Sequence, residues 1–577
     1  MGAASILSAQ AAPSPVQSAE IDNAYSTAIS DNGQWLIGQN DTDGCIFIID
    51  LLNNKRWDYG SELTTDGSGY HPGTDKAISD DGTAIALRDG IPYYWSAGKW
   101  TKLPGNAVDG SAMMGSISAD GSMIVGGYGT TGTSTEDVQF TYPCIWYRKA
   151  DGTYGEPTRL PSPAKDYFGL TPQGLNAVAV SGDGKTIAAT MTASNGMYEF
   201  PYVYTCDDSG QWTYKAVCLD LINPSGREVP PFPGDYKGPL QPTPPSYMTE
   251  EEFEAYRDAL PAWTARQQAL GLSDFAIQIE SLRYAADFMT DEERNVYLPL
   301  LEAFLAVYVP WQESENAYYD FLAYLTDNGV NFDMNNTRLS PDGRYAYFAA
   351  YKVIISDPTQ GEAAISNVYA PVRVDVATGE SMLFSFDHNV LLSSVTADGS
   401  VFGREYKQDG NMYTMGYIFP QGNLESVDIP SYFIETGNIE AADWMEIHMD
   451  REVIKGMAPT GAYIYDYALC VGMPLATPDM SLIAFSNSAA YWRQISNDDP
   501  LYVTFLLNTG IDVDGVESIT IPEGEEITGV TVYDLGGTPL LYTSSLSDVA
   551  AAGLQKGIYI IKAATAGGNL ITNKIIL

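Results

Sequence analysis

Cysteine and histidine are scarce in this chain, and basic residues are heavily outnumbered. Five cysteines (Cys45, Cys144, Cys206, Cys218 and Cys470) in 577 residues are too few and too scattered for a disulfide framework, and no Cys-x-x-Cys occurs. Cys206 and Cys218 flank a turn at Asp207-Asp208-Ser209-Gly210 but are offset from direct cross-strand partnership, so these thiols read as buried and unpaired. The three histidines, His71, His388 and His448, stand in no metal-binding spacing. No Gly-x-Ser-x-Gly nucleophile elbow occurs, and no carboxylate pair stands out in so acidic a chain. No catalytic residue, cofactor or metal is therefore assigned. Lys and Arg total 30 against 73 Asp and Glu, a net charge of -43; that field repels nucleic acid and anionic lipid headgroups. No run approaches the roughly 18 apolar residues of a spanning helix.

What is abundant is one phrase. Ile29-Ser30-Asp31-Asn32-Gly33 returns as Ile78-Ser79-Asp80-Asp81-Gly82, Ile117-Ser118-Ala119-Asp120-Gly121 and Val180-Ser181-Gly182-Asp183-Gly184. Later copies are Leu339-Ser340-Pro341-Asp342-Gly343, Val395-Thr396-Ala397-Asp398-Gly399 and Ala476-Thr477-Pro478-Asp479-Met480. An apolar strand ends at a turn where Asp hydrogen-bonds the following backbone and Gly supplies positive φ; a second apolar run then returns. Second hairpins follow, as at Pro92–Lys102 and Val372–Glu380. Each unit then has four strands, as one blade of a β-propeller does. The expected fold is all-β: a seven-bladed β-propeller over 20–508 with a helical insertion at about 246–329, then a small C-terminal β-sandwich over 509–577. Met457–Tyr465 resembles the phrase but lies too close to Met480 to open a blade, and reads as an extra hairpin.

Thr249–Glu252 and Thr290–Glu293 are capping boxes that open amphipathic runs within the insertion. Asn438–Met449 is a shorter helix candidate. Gly127-Tyr128-Gly129-Thr130-Thr131-Gly132 matches the dinucleotide glycine pattern, but it follows a blade strand and precedes a Thr/Ser-rich loop rather than a helix. Asp41–Gly44 and Asp512–Gly515 lack the distant Glu of a calcium loop and read as turns.

The ends carry export features. Residues 1–19 read as the remnant of an export signal, with Ala9-Gln10-Ala11 as its Ala-x-Ala. Near the other end stand Val532-Tyr533-Asp534-Leu535-Gly536-Gly537, Leu554-Gln555-Lys556-Gly557-Ile558-Tyr559 and the terminal Lys574-Ile575. This tail resembles the type A C-terminal sorting domain of the Bacteroidota type IX secretion system. The resemblance covers about the last 65 residues and implies that Gly557, Tyr559 and Lys574 belong to a sorting signal read by that machinery. It further implies periplasmic transit to the outer-membrane surface or the medium. The repeats resemble TolB-type and WD-like propellers, a generic similarity that brings no site residues.

These features point to a secreted or surface-displayed scaffold that binds a protein or glycan partner. The alternatives are a glycan-active hydrolase or lyase working in the propeller funnel, and a structural part of a cell-envelope complex. The long connections (127–141, the helical insertion, and 430–470) all leave the sheet ends opposite the Asp-Gly turns. Long connections on a rigid scaffold are where binding residues concentrate, so that face is expected to hold the partner site, with Trp311, Tyr318, Tyr319 and Trp444 as exposed contacts.

Overall fold

The computed structural model describes residues 17–40, 46–59, 71–72, 76–88, 91–105, 112–130, 140–355, 365–405, 415–458, 460, 462–469, 471–488, 502–509, 527–533, 539–543, 558–565 and 570–576. Cys45, Cys470, Gly557, the residues 1–16, and the turns at 41–44 and 512–515 lie outside that set. The chain forms two compact units. One holds residues 1–167, 171–224 and 330–577, and the other 168–170 and 225–329.

The larger unit is a β-propeller built from antiparallel four-stranded sheets. In the first, Tyr25–Ile29, Trp35–Gln39, Ile46–Asp50 and Lys55–Tyr59 pair in sequence order. The second has His71–Pro72, Ala84–Arg88, Ile91–Ser96 and Lys99–Lys102. The third and fourth open at Ala112–Ile117 and Gly174–Val180, and a single parallel bridge, Thr141 to Gly174, links them. The fifth opens at Asn331–Leu339 and the sixth at Val390–Val395. The last sheet takes Met473–Ala476, Leu482–Ser488 and Tyr502–Asn508, and its fourth strand is Ala19–Asp22 from the other end of the chain. Residue 19 thus belongs to a sheet and not to a leader; nothing in four short residues announced a strand that pairs almost five hundred positions away.

Each copy of the repeated phrase does the same local work. Ser181 Oγ donates to Asp183 (2.6 Å) and accepts from Thr186 N–H (3.0 Å), while Asp183 also accepts from Lys185 N–H (3.0 Å). The hydroxyl–carboxyl bond recurs at Ser79–Asp81, Ser118–Asp120, Ser340–Asp342, Thr396–Asp398 and Thr477–Asp479, and in the first copy Ser30 donates instead to the amide oxygen of Asn32. The turn is a side-chain-stapled link between the first and second strands.

Met480 keeps the left-handed backbone of the lost glycine, with φ 59°, yet its side chain is 6% exposed within an apolar cluster beside Ile483 and Phe505. The left-handed backbone costs about 1–2 kcal/mol, whereas deleting a buried Met side chain costs about 2–5 kcal/mol. Restoring the repeat consensus with Met480→Gly is therefore expected to destabilise by about 1–2 kcal/mol, measured by urea unfolding.

Innermost strands share a second regularity. The register slips at Thr27, Gly115, Val178 and Ser393, and over a longer stretch at 334–336 in the fifth sheet. A bulge bends its strand and raises the local twist, which suits strands crowded together at the centre of the fold. At Gly115 an added Cβ would stand 2.3 Å from Ala177 O, so the bulge there presses directly on the next sheet.

Of the 127–141 segment, residues 127–130 and 140–141 are strand, and 131–139 lie outside the described residues. Met123–Thr130 and Phe140–Tyr147 are strands in register, with Gly129 opposite Thr141. Glycine is needed at 127 because a Cβ there would meet Asn176 Oδ1 at 2.1 Å. The Gly-x-Gly pattern therefore marks close packing between sheets.

The smaller unit is helical: Glu250–Ala269, Asp274–Ala285 and Asp291–Asn328. Both capping boxes form, Thr249 with Glu252 and Thr290 with Glu293. Its own core gathers Tyr256, Leu282, Tyr297, Leu301, Phe304 and Leu305. In the larger unit, Ile429–Glu435 and Ile439–Met449 are helices, followed by a hairpin, Asp450–Met457 with Tyr463–Leu469. The tail contributes, among the described residues, one four-stranded sheet in which Tyr559 pairs with Ile575 and Lys574 with Ile560. Cys144, Cys206 and Cys218 are free thiols.

Candidate functional site

The position after the hydroxyl residue of the repeated phrase (Asp31, Asp80, Ala119, Gly182, Pro341, Ala397 and Pro478) looks unconstrained in sequence. In the fold these residues link neighbouring sheets. Asn32 N–H donates to Asp80 Oδ1 (2.8 Å), Asp80 N–H to Ala119 O (2.8 Å), Gly182 N–H to Pro341 O (3.0 Å) and Ala397 N–H to Pro478 O (2.7 Å). A Cβ on Gly182 would lie 3.6 Å from Asp31 Oδ2, although these residues come from the fourth and first sheets. Lys76 Nζ pairs with Asp31 at 2.6 Å, and Arg338, buried, donates from Nε to Ser393 O (2.8 Å) and from Nη1 to Thr337 O (2.9 Å). The cavity lined by Thr27, Asp31, Lys76, Arg338, Ser393 and Pro478 is about 30 Å³, room for one water. Burial, with Asp31 adding to it, pushes the Asp80 carboxyl up to about 6 against the opposing pull of Lys76 and the Asn32 amide.

The opposite end is different in chemistry. There the first strands begin, the second strands end and the third strands begin. Asn331, Tyr351 and Tyr369 stand in register on three adjacent strands of the fifth sheet, and so share one face. Asn331 Nδ2 donates to the Tyr351 hydroxyl (2.8 Å) and to Met197 O (2.7 Å), and its Oδ1 accepts from Glu199 N–H (3.2 Å). The Tyr351 and Tyr369 rings lie 5.5 Å apart. Thr192 Oγ1 donates to the Glu199 carboxylate (2.9 Å). Burial pushes that carboxyl up to about 7, and the charge of Asp333 adds to the rise despite the Thr192 hydroxyl.

Further polar and aromatic groups share this end. Arg404 Nη1 reaches the Tyr25 hydroxyl (3.4 Å), and Tyr25 meets the edge of Tyr502 at 5.6 Å. Glu405, nearly buried, accepts from the Tyr417 hydroxyl (3.1 Å), over whose ring His388 stacks at 4.7 Å. The arrangement offers flat apolar ring faces beside fixed donors and acceptors, with one carboxyl neutral enough near pH 7 to donate a hydrogen bond.

Of the four aromatics expected as exposed contacts, Tyr318 and Tyr319 of the helical unit lie with their rings 5.8 Å apart. Tyr318 is 2% exposed, packed by Phe168 and Phe232. Trp311 is half-buried; its Nε1 donates to Gly234 O (2.9 Å) and its ring lies against Tyr236. Trp444 is half-buried and stacks on His448 at 4.5 Å. These three pack their own elements; Tyr319 alone of the four is exposed. Helical position had not revealed which ring each helix turns inward. Glu199, Asp333, Tyr351, Tyr369 and Arg404 carry no local sequence signature because they belong to no motif. Position in the repeat is a usable signal for two of them: Glu199 opens a third strand, and Arg404 stands next to the end of a second one.

No known family's sequence profile matches this chain, and no curated protein matches it. Solved structures with a similar course include the β-propeller domain of Myceliophteria thermophila Cps50 (Swd1), at 10% identity and TM-score 0.33, covering 85% of this chain and 99% of that one. The polysaccharide lyase Uly1 shows 10% identity and TM-score 0.38 over 84% of this chain and 90% of that one. The β-propeller domain of the Trilobed protease from Pyrococcus furiosus shows 9% identity and TM-score 0.33 over 71% and 84%. At such scores the likenesses decide nothing about function, and the propeller assignment rests on the sheets themselves.

Proposed function

We propose that this chain is a secreted or cell-surface propeller that binds a glycan at the end of its axis opposite the Ser-x-Asp-Gly turns. The observation that carries the reading is the Asn331–Tyr351–Tyr369 ladder beside Glu199 and Asp333. Two adjacent tyrosine rings, tilted 47° to each other, with an amide and carboxyls suit the apolar faces and hydroxyl rims of sugar rings. The sheets close as a seven-bladed ring, a reading supported by Ala19–Asp22 completing the sheet that Met473 opens, and by Tyr25 meeting Tyr502. Export through the type IX machinery, with the tail as its signal, is part of the same proposal and rests on the sequence resemblance. A protein ligand is the competing partner class.

Printed-glycan binding by the full chain tests the reading. Tyr351→Ala and Tyr369→Ala are each expected to weaken binding at least tenfold, equivalent to about 1.4 kcal/mol, while leaving the far-UV spectrum unchanged. Full binding by both variants, or no glycan bound by the parent protein, would remove it. Glu199 beside Asp333 specifically favours a second reading, glycan cleavage with Glu199 as a proton donor. Product formation from a bound glycan that is lost in Glu199→Gln distinguishes that activity from binding alone.

A further inference from the structure

The helix Asp291–Asn328 carries a surface unlike the rest of this acidic chain. Between Asn295 and Pro310 its exposed positions are Asn295, Val296, Pro299, Leu300, Glu302, Ala303, Ala306, Val307 and Pro310. Glu302 is the one charged group among them, and it is paired with Arg283 at 3.1 Å. Val296 is 55% exposed, Leu300 46% and Val307 44%. Beside Leu300 and Ala303 runs a groove of about 300 Å³ walled by Pro239, Leu240 and Pro242, with Leu240 itself 93% exposed. An exposed apolar stripe works against solubility even in a chain at net charge -43, and such a stripe marks association.

We infer that this stripe pairs with the same stripe of a second copy of the chain, antiparallel and about a twofold axis. Spacing carries the argument. Val296, Leu300, Ala303 and Val307 are separated by four, three and four positions, which reads the same in both directions. About a twofold axis lying between 300 and 303, Val296 of one copy faces Val307 of the other, and Leu300 faces Ala303. A large side chain thus meets a small one at the centre, the complementarity that ridge-into-groove helix packing requires. Charge excludes the rivals. A basic partner would find no carboxylate here except the paired Glu302, and an anionic membrane would find only Arg283, itself already paired with Glu280 and Glu302. The remaining surface of a second copy is strongly acidic and repels, so two copies approach most closely where charge is absent. Three helical turns bury a small area, and the dimer is expected to be weak, with Kd in the micromolar range or above.

Sedimentation velocity of the full chain over a concentration series reads the outcome. A reversible monomer–dimer equilibrium is expected. It should strengthen when salt is raised from about 20 to 300 mM, because the like charges of the two copies are then screened. Ala303→Glu should weaken the dimer at least tenfold by setting a carboxylate against Leu300 of the second copy. Adding Leu300→Lys to that variant places Lys opposite Glu twice across the axis and should restore association, now weakened by salt. These positions are exposed, so helicity by circular dichroism should stay unchanged. A monomer at every concentration and salt overturns the inference. So does a dimer indifferent to Ala303→Glu, or one that Leu300→Lys fails to rescue.

Discussion

Replacing Glu199 with glutamine is expected to stabilise the protein above neutral pH and to flatten much of its stability change between about pH 4.5 and 7. The carboxyl sits at about 7 in the fold against an ordinary 4.5. Across that window the folded state holds a proton that the unfolded chain has released, so stability falls as pH rises. The cause is burial first, with Asp333 adding repulsion once Glu199 ionises. A shift of this size corresponds to at most about 3 kcal/mol, and partial hydration of a half-buried group lowers it to about 2 kcal/mol. Glutamine keeps the shape, can still accept from Thr192, and never ionises. Urea midpoints at pH 5 and pH 8 should therefore differ less in Glu199→Gln than in the parent protein. Asp80, raised to about 6, leaves a residual slope of the same sign at lower pH. An unchanged slope in the variant would mean that Glu199 is ionised in the fold throughout.

Thr504→Val should cost about 2–4 kcal/mol, although it removes a single oxygen at constant volume. Thr504 Oγ1 donates to Ala24 O (2.9 Å), accepts from Ser26 N–H (3.2 Å) and contacts Ser26 Oγ (2.8 Å). Ser486 Oγ in turn donates to Ser26 O (2.8 Å). All of these groups are buried, and they join the first sheet to the last across a sequence separation of 478. Valine would leave a backbone donor and a backbone acceptor without partners in a dry seam, a loss larger than that of one exposed bond. Thr504→Ser keeps the hydroxyl and should recover most of the stability, as read by thermal unfolding. Equal losses in the two variants would show that the methyl group, and not the hydroxyl, holds the seam.

The repeated phrase made the architecture legible because its chemistry is local. Ser181, Asp183 and Gly184 lie within four positions, and their bonds form without help from distant residues. Helix starts were legible for the same reason: Thr249 with Glu252 and Thr290 with Glu293 act within one turn. The end that holds Asn331, Tyr351 and Tyr369 was not legible, because its groups come together only through strand register. Tyr351 and Tyr369 stand eighteen positions apart in sequence and face each other only because Tyr345 pairs with Asp375 at the start of that ladder. Trp311 and Tyr318 misled for a related reason. An aromatic on a long helix can serve a partner or the helix's own core, and the choice is made by neighbours such as Gly234 and Phe232 that sequence does not place beside it.

The helical unit leaves the larger one after Pro224 and the chain returns at Val330, where Val330 N–H donates to Leu221 O (3.1 Å). To the sheets on either side, more than a hundred residues are thus one closed loop with touching ends. The entropy of closing such a loop rises only by about 0.6 kcal/mol for each doubling of its length. Mutation can lengthen, shorten or wholly exchange what hangs there at almost no thermodynamic penalty to those sheets. This junction is therefore a socket, through which the same propeller lineage can acquire new partners faster than its sheets can change.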